Sequence, residues 1–137
     1  MQRTFTILKP DSVSAGNAGA IIQLLQKEGF RIRALKMLQL TTAQAQGFYH
    51  VHKERPFFGG LVKFMSEGPI IAAVLEADDA IQKLRKVMGA TDPAKADAGT
   101  IRKLFATNIE RNAIHGSDGP ETAAFEIAYF FSQLEIV

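Results

Sequence analysis

The run Ile70-Ile71-Ala72-Ala73-Val74-Leu75, opened by Pro69, constrains the fold more than any other stretch. Consecutive apolar residues leave no polar face, so a strand here belongs inside a sheet, covered on one side and partly on the other. Such a strand needs neighbours. From Thr4 to Leu8 small polar and large apolar residues alternate, and Pro10 then removes a backbone donor. A strand therefore ends at Lys9 and leaves that side chain at its mouth. Ile32 to Leu40 reads as another strand.

Helices fill the intervals. Ala18, Ile21, Ile22 and Leu25 recur at helical spacing before Gly29 stops the pattern. Thr42 to His52 and Phe57 to Met65 read as a helical hairpin interrupted by Pro56. Asp78 or Asp79 is placed to cap a helix lined by Ile81, Leu84 and Met88. Gly89 to Gly99 has no periodicity and reads as a long ordered loop, a length that favours a functional role. Asp118-Gly119-Pro120-Glu121 combines a cap, a first-turn proline and an acid at capping-box spacing. The helix it opens has Ala124, Ile127, Ala128 and Phe131 as its expected buried stripe. The order is β-α-β-(αα)-β-α-loop-β-α, a split βαβ pattern. It predicts an α/β (α+β), ferredoxin-like sandwich with a four-stranded antiparallel sheet and helices packed on one face. No repeat or linker divides residues 1–137, so a single domain is expected.

Several function classes fall away on composition. With 16 Lys plus Arg against 14 Asp plus Glu, net charge does not demand a nucleic-acid partner, and no RNP1-like aromatic strand motif is present. The absence of cysteine excludes disulfides, thiolate catalysis and Cys-based metal sites, and fits a cytoplasmic protein. Arg3 and Lys9 bracket only a short apolar stretch, so no signal peptide is expected. No run approaches the ~20 apolar residues of a membrane helix.

The chemistry concentrates in Asn112-Ala113-Ile114-His115-Gly116-Ser117-Asp118, which sets an imidazole among amide, hydroxyl and carboxylate groups. His115 is the candidate nucleophile: a ring nitrogen can attack phosphorus or an acyl carbon when the other nitrogen is fixed by a hydrogen bond. Gly116 permits a close approach. Lys9, Arg85 and Arg102 lie far apart in sequence, but each sits where an element ends, and such ends converge in α/β folds. No Gly-x-x-x-x-Gly-Lys-Ser/Thr segment exists, so side chains must hold any phosphates. His50 and His52 form a His-x-His pair without a further ligand cluster, which reads as solvated helix rather than a metal site.

Five motifs in order give the chain a family resemblance. They are Thr6-Ile7-Leu8-Lys9-Pro10-Asp11, Arg55-Pro56-Phe57-Phe58, Gly89-Ala90-Thr91-Asp92-Pro93, Gly99-Thr100-Ile101-Arg102 and the His115 heptapeptide. Together they resemble the nucleoside diphosphate kinases over Arg3 to about Phe131. The resemblance implies γ-phosphoryl transfer from a nucleoside triphosphate, typically ATP, to a nucleoside diphosphate, by a ping-pong route through a phosphohistidine. It implies phosphate binding by Lys9, Arg85 and Arg102, and hydrogen bonding to phosphate and sugar by Thr91 and Asn112. Base stacking falls to Phe57 with Leu61 a turn on, and stacking tolerates any base. Glu126 is expected to orient His115 with help from Ser117, and Tyr49 to support it. Mg2+ is expected to arrive with the nucleotide, with Asp118 its nearest carboxylate, through water. The sequence departs from the family at Gly119-Pro120, where a serine is frequent, and at Leu104, where a small or acidic residue is common.

The resemblance also implies a homo-oligomer built from dimers. The chain stops at Val137, soon after its last helix, whereas longer relatives carry a C-terminal extension that adds intersubunit contacts. A tetramer or a hexamer is therefore expected, with Phe30 to Leu40 as the candidate dimer surface.

Overall fold

In a computed structural model describing residues 1–137, the apolar run forms β3 (Ile70–Ala77), an interior strand of a four-stranded sheet. It lies between β1 (Gln2–Leu8) and β2 (Arg31–Leu38), and β4 (Ile114–Gly116) pairs with the other side of β1, giving the order β2-β3-β1-β4. Every pairing is antiparallel. The register sets Thr6 against Ala73 and Ile7 against His115, and β2 carries an irregularity between Ile32 and Ala34.

Both faces of the sheet are covered, which corrects the expectation of helices on one face. Phe5, Ile7, Ala72 and Val74 point into one core, with residues of α3 (Thr42–Phe48), α4 (Phe58–Ser66) and α7 (Pro120–Phe130). Leu8, Ile71, Ala73 and Leu75 point into a second, with α2 (Ala18–Lys27), α5 (Ala80–Met88) and α6 (Ile101–Phe105). The physical reason was already in β3: a strand apolar on both faces exposes one of them unless two helical layers bury it. A further short helix, α1 (Pro10–Ser14), starts on the proline that ends β1.

Local signals set the helix ends, not always as the sequence suggests. Thr41 and Gln44 form a reciprocal capping box on α3, and the expected helix to His52 breaks after Phe48 into a 3-10 turn over His50–His52. Asp79 occupies the N-cap of α5 in a left-handed conformation (φ 51°), and neither it nor Asp78 caps the helix. Gln2 does so from β1, its Oε1 accepting the Ile81 N–H at 2.9 Å. At α7 the N-cap is Gly119, whose N–H donates to Thr122 Oγ1 (3.0 Å), while the Thr122 hydroxyl donates to Asp118 Oδ1 (2.7 Å). The buried side of α7 carries Ala123, Ile127 and Phe130, and Ala124 and Ala128 are exposed. Of the expected stripe Ile127 and Phe131 are in the core, while the face that carries Glu126 inward takes Ala123 and Phe130 in place of Ala124 and Ala128. The loop after α5 contains a 3-10 turn, Pro93–Lys95, started by Asp92 accepting the Ala94 N–H at 3.0 Å.

Candidate active site

His115 sits mid-strand in β4, opposite Ile7. Thr6 Oγ1 donates to its carbonyl (2.7 Å), and Phe5, Phe48 and Tyr49 wall its ring edge-on at centroid distances of 6.2, 5.6 and 6.3 Å. Nε2 lies 2.8 Å from Glu126 Oε1, and the same oxygen accepts from Ser117 Oγ at 2.6 Å. A carboxylate only accepts, so Nε2 carries a proton, and in the neutral imidazole the lone pair is then on Nδ1. Nδ1 makes no hydrogen bond to the protein, and the side chain is 20% exposed. Tyr49 Oη is buried without a hydrogen bond, and burial first, then the charge of Glu126, pushes its pKa up, so it remains a phenol.

The approach to β4 is strained. Ala113, fully buried, has φ 75°, and the Ile114 N–H donates to Asn112 O at 2.9 Å, closing a three-residue turn about it. A non-glycine residue in this region costs about 1–3 kcal/mol and persists only where its surroundings over-determine it. The Lys9–Ser12 segment supplies that determination. Ala113 N–H donates to Asp11 Oδ2 (3.0 Å), and Ala113 O accepts from Ser12 Oγ (2.8 Å) and Lys9 N (3.0 Å). Gly116, on the far side of His115, makes its close approach to α5: a Cβ there would lie 2.8 Å from Met88 Sδ.

Around this strand the expected cations converge. Lys9 Nζ donates to Asn112 Oδ1 (2.7 Å), and Asn112 Nδ2 to Thr91 O (3.3 Å). Arg102 donates through its two terminal nitrogens to Gly89 O (3.0 Å) and Ile114 O (2.9 Å), leaving Nε buried and unpartnered. Burial and then the neighbouring Arg102 charge lower the Lys9 pKa from 10.5 to about 8, while burial and then Arg85 bring Arg102 to about 10. Asp11 and Glu110 pull the Lys9 value the other way without cancelling the burial. Arg85, Thr91 and Arg102 line a cleft of about 330 Å³ with Lys86, Lys95 and Thr100.

Phe57, Leu61 and Asp118 stand outside that cluster. Phe57 is 53% exposed just before α4, its ring 5.6 Å from that of His52, and Leu61 is half-buried one turn on. The neighbouring helix surface faces the 106–111 loop, since Glu110 Oε2 lies 3.4 Å from where a Gly60 Cβ would be and Arg111 pairs with Glu67 at 3.1 Å. Asp118 is exposed at the end of the His115 segment. Sequence reasoning missed Asp11, Ser12, Thr6, Phe5 and Phe48 as shapers of the site, and Ile109, an apolar side chain 60% exposed on the loop facing α4. Only Thr6 and Asp11 carried a signal, as the two ends of the first motif.

A family model described as nucleoside diphosphate kinase matches residues 2–136. The nucleoside diphosphate kinase of Desulforapulum autotrophicum is 58% identical over 137 residues, covering 100% of this chain and 99% of the relative. That of Geobacter sp. (strain M21) is 55% identical, with 100% of both chains covered. Among solved structures, the Aquifex aeolicus nucleoside diphosphate kinase superposes with a TM-score of 0.97 at 50% identity, covering 99% of each chain. The Halobacterium salinarum enzyme, in complex with CDP, gives 0.95 at 39% identity, covering 99% of this chain and 91% of that one. The chain belongs to the nucleoside diphosphate kinase family, enzymes that make nucleoside triphosphates by transferring phosphoryl groups between nucleotides.

Proposed function

We propose that His115 Nδ1 carries the phosphoryl group between the two half-reactions. The observation that carries this is a contact: Glu126 Oε1 lies 2.8 Å from Nε2, while Nδ1 makes no hydrogen bond to the protein. The Nδ1 lone pair attacks the γ-phosphorus of a nucleoside triphosphate, typically ATP. The bond to the β–γ bridging oxygen breaks, and the diphosphate leaves with its electron pair. A terminal oxygen of the acceptor diphosphate then attacks the phosphohistidine and restores the neutral imidazole. Glu126 and Ser117 orient the ring and offset the positive charge that grows on it, and Tyr49 supports the same wall.

Lys9, Arg85 and Arg102 bind the phosphates, with Thr91 and Asn112 hydrogen-bonding phosphate and sugar. A polyanion offsets the burial and, after it, the repulsion that lower the Lys9 and Arg102 pKa values. The base stacks on Phe57 beside Leu61, with Ile109 on the facing loop, and stacking alone tolerates every base. A divalent metal accompanies the nucleotide in a kinase of this kind. No group of three or more His, Cys, Asp or Glu side chains is placed to cage an ion. The donor set therefore suits Mg2+ held mainly by phosphate oxygens and water, with Asp118 reaching it through water. The metal neutralises phosphate charge.

Residues 1–137 act as one catalytic domain in the cytoplasm, on nucleoside di- and triphosphates, with no nucleic acid required. No helix is long and apolar enough to cross a membrane. The working form is a homo-oligomer of dimers, tetramer or hexamer, paired through β2. Incubation with γ-labelled ATP tests the central step: the label is expected on His115, acid-labile and alkali-stable, and absent from His115→Ala. Full nucleotide exchange by His115→Ala would refute the mechanism.

A further inference from the structure

We infer that Asp11 is a positioning residue for phosphoryl transfer, clamping the left-handed turn at Ala113 that aims His115 and presents Asn112 to Lys9. This rests on His115 being the nucleophile. The Ala113 N–H is held by Asp11 Oδ2 alone, at 3.0 Å, while the carbonyl of the same residue has two donors, Ser12 Oγ and Lys9 N. Ala113 is fully buried at φ 75°, so it does not hold this shape by its own preference. Little slack separates the turn from the ring. Ile114 is fully buried, pairs with Leu8, and has its carbonyl held by Arg102 at 2.9 Å, so a rotation of the 112–113 peptide is passed on to His115 and to the Asn112 amide.

The carboxylate is also an awkward group to keep for stability alone. Asp11 Oδ1 is buried without a hydrogen-bond partner, and burial raises the Asp11 pKa against the pull of the backbone N–H groups and of Lys9. A half-satisfied buried carboxylate costs stability. The N–H it holds, and the nearby ammonium, are what it gives in return.

The test measures the single-turnover rate of His115 phosphorylation by γ-labelled ATP, per folded molecule, together with the nucleotide KM. Asp11→Ala should phosphorylate His115 about ten- to a hundredfold more slowly, the size of loss that misplacement of a reacting group brings, with KM within about twofold. Asp11→Asn keeps an oxygen for the Ala113 N–H and should stay within about threefold of the unsubstituted protein. Glycine takes φ 75° without strain, so Ala113→Gly added to Asp11→Ala should recover most of the lost rate. Should Asp11→Ala fail to fold, the double variant compared with Ala113→Gly alone carries the same test, and similar rates are expected. An unchanged rate in Asp11→Ala overturns the inference, as does Asp11→Asn falling as far as Asp11→Ala. So does a double variant as slow as Asp11→Ala, or far slower than Ala113→Gly. Absence of label from the unsubstituted protein would instead sink the phosphohistidine reading itself.

Discussion

A buried ammonium under the influence of a neighbouring guanidinium makes nucleotide binding a proton-linked event. Burial, then Arg102, lowers the Lys9 pKa to about 8 in the free protein, and a phosphate beside it favours the charged form and raises it again. Between pH 8 and 9.5 nucleoside diphosphate binding should therefore take up a proton, roughly half or more of one per site at pH 8.5. Titration calorimetry in buffers of different ionisation enthalpy measures this, and Lys9→Gln should abolish it. Uptake unchanged in that variant would assign it elsewhere. The stability sign follows. The unfolded chain binds this proton more tightly than the folded one, so the folded state carries a penalty below pH 8 that fades as pH rises toward 10.5. Arg102 makes a different demand, because its fork already spans Gly89 O and Ile114 O. Arg102→Lys keeps the charge but not that geometry, and kcat/KM should drop about tenfold or more, an expectation that wild-type kinetics would refute. The roles proposed for His115, Lys9 and Arg102 were readable because each is a rare chemical type at an element end. Phe5, Phe48 and Thr6, which shape the space around the imidazole, were not, since core phenylalanines and strand threonines look alike wherever they occur.

The elements matter to the site mainly through the junctions between them. Gly89 ends α5 at φ 85°, and a Cβ there would meet Thr100 Oγ1 at 2.5 Å and Thr100 Cβ at 2.7 Å, just before α6 begins. The Gly89 carbonyl also accepts from Arg102, so one residue joins both helices to the cation proposed to bind phosphate. Gly89→Ala is expected to cost more than about 1 kcal/mol, from the left-handed strain and the clash together. It should also raise the KM for ATP by displacing Arg102. Chemical denaturation and steady-state kinetics check the two effects, and a stable variant with an unchanged KM would uncouple the junction from the site. Element types were legible here because periodicity and the Gly and Pro stops agreed over most of the chain. Two of the misplaced details share one cause, long-range partners. Gln2, distant in sequence, caps α5 in place of Asp78 or Asp79, and Glu126 turns inward on α7 to meet His115, shifting part of the buried stripe. No local window contains either partner.

At the scale of the whole molecule the unfinished surface is β2. It is an edge strand in the order β2-β3-β1-β4, and its Leu35 and Met37 are 47% and 60% exposed opposite Ala73 and Ile71. The C-terminus covers only part of it: the Val137 N–H donates to Arg33 O at 2.9 Å, and Lys36 pairs with Glu135 at 3.1 Å. An edge carrying exposed apolar side chains invites a second strand. Burying the exposed halves of Leu35 and Met37 in two copies contributes about 4 kcal/mol, at ~1 kcal/mol each. A micromolar complex needs about 8 kcal/mol, before the cost of association is counted. The apolar pair is therefore insufficient alone, and backbone pairing along the edge or contacts beyond β2 must supply the rest. A margin that narrow makes the dimer sensitive to charge. Leu35→Lys combined with Met37→Lys, which sets like charges face to face across the two-fold, should shift the protein at micromolar concentration to a 15.0 kDa species in light scattering. The unsubstituted chain should run as a dimer or a multiple of one. A stable monomer there would remove β2 as an interface and leave Leu35 and Met37 as surface residues.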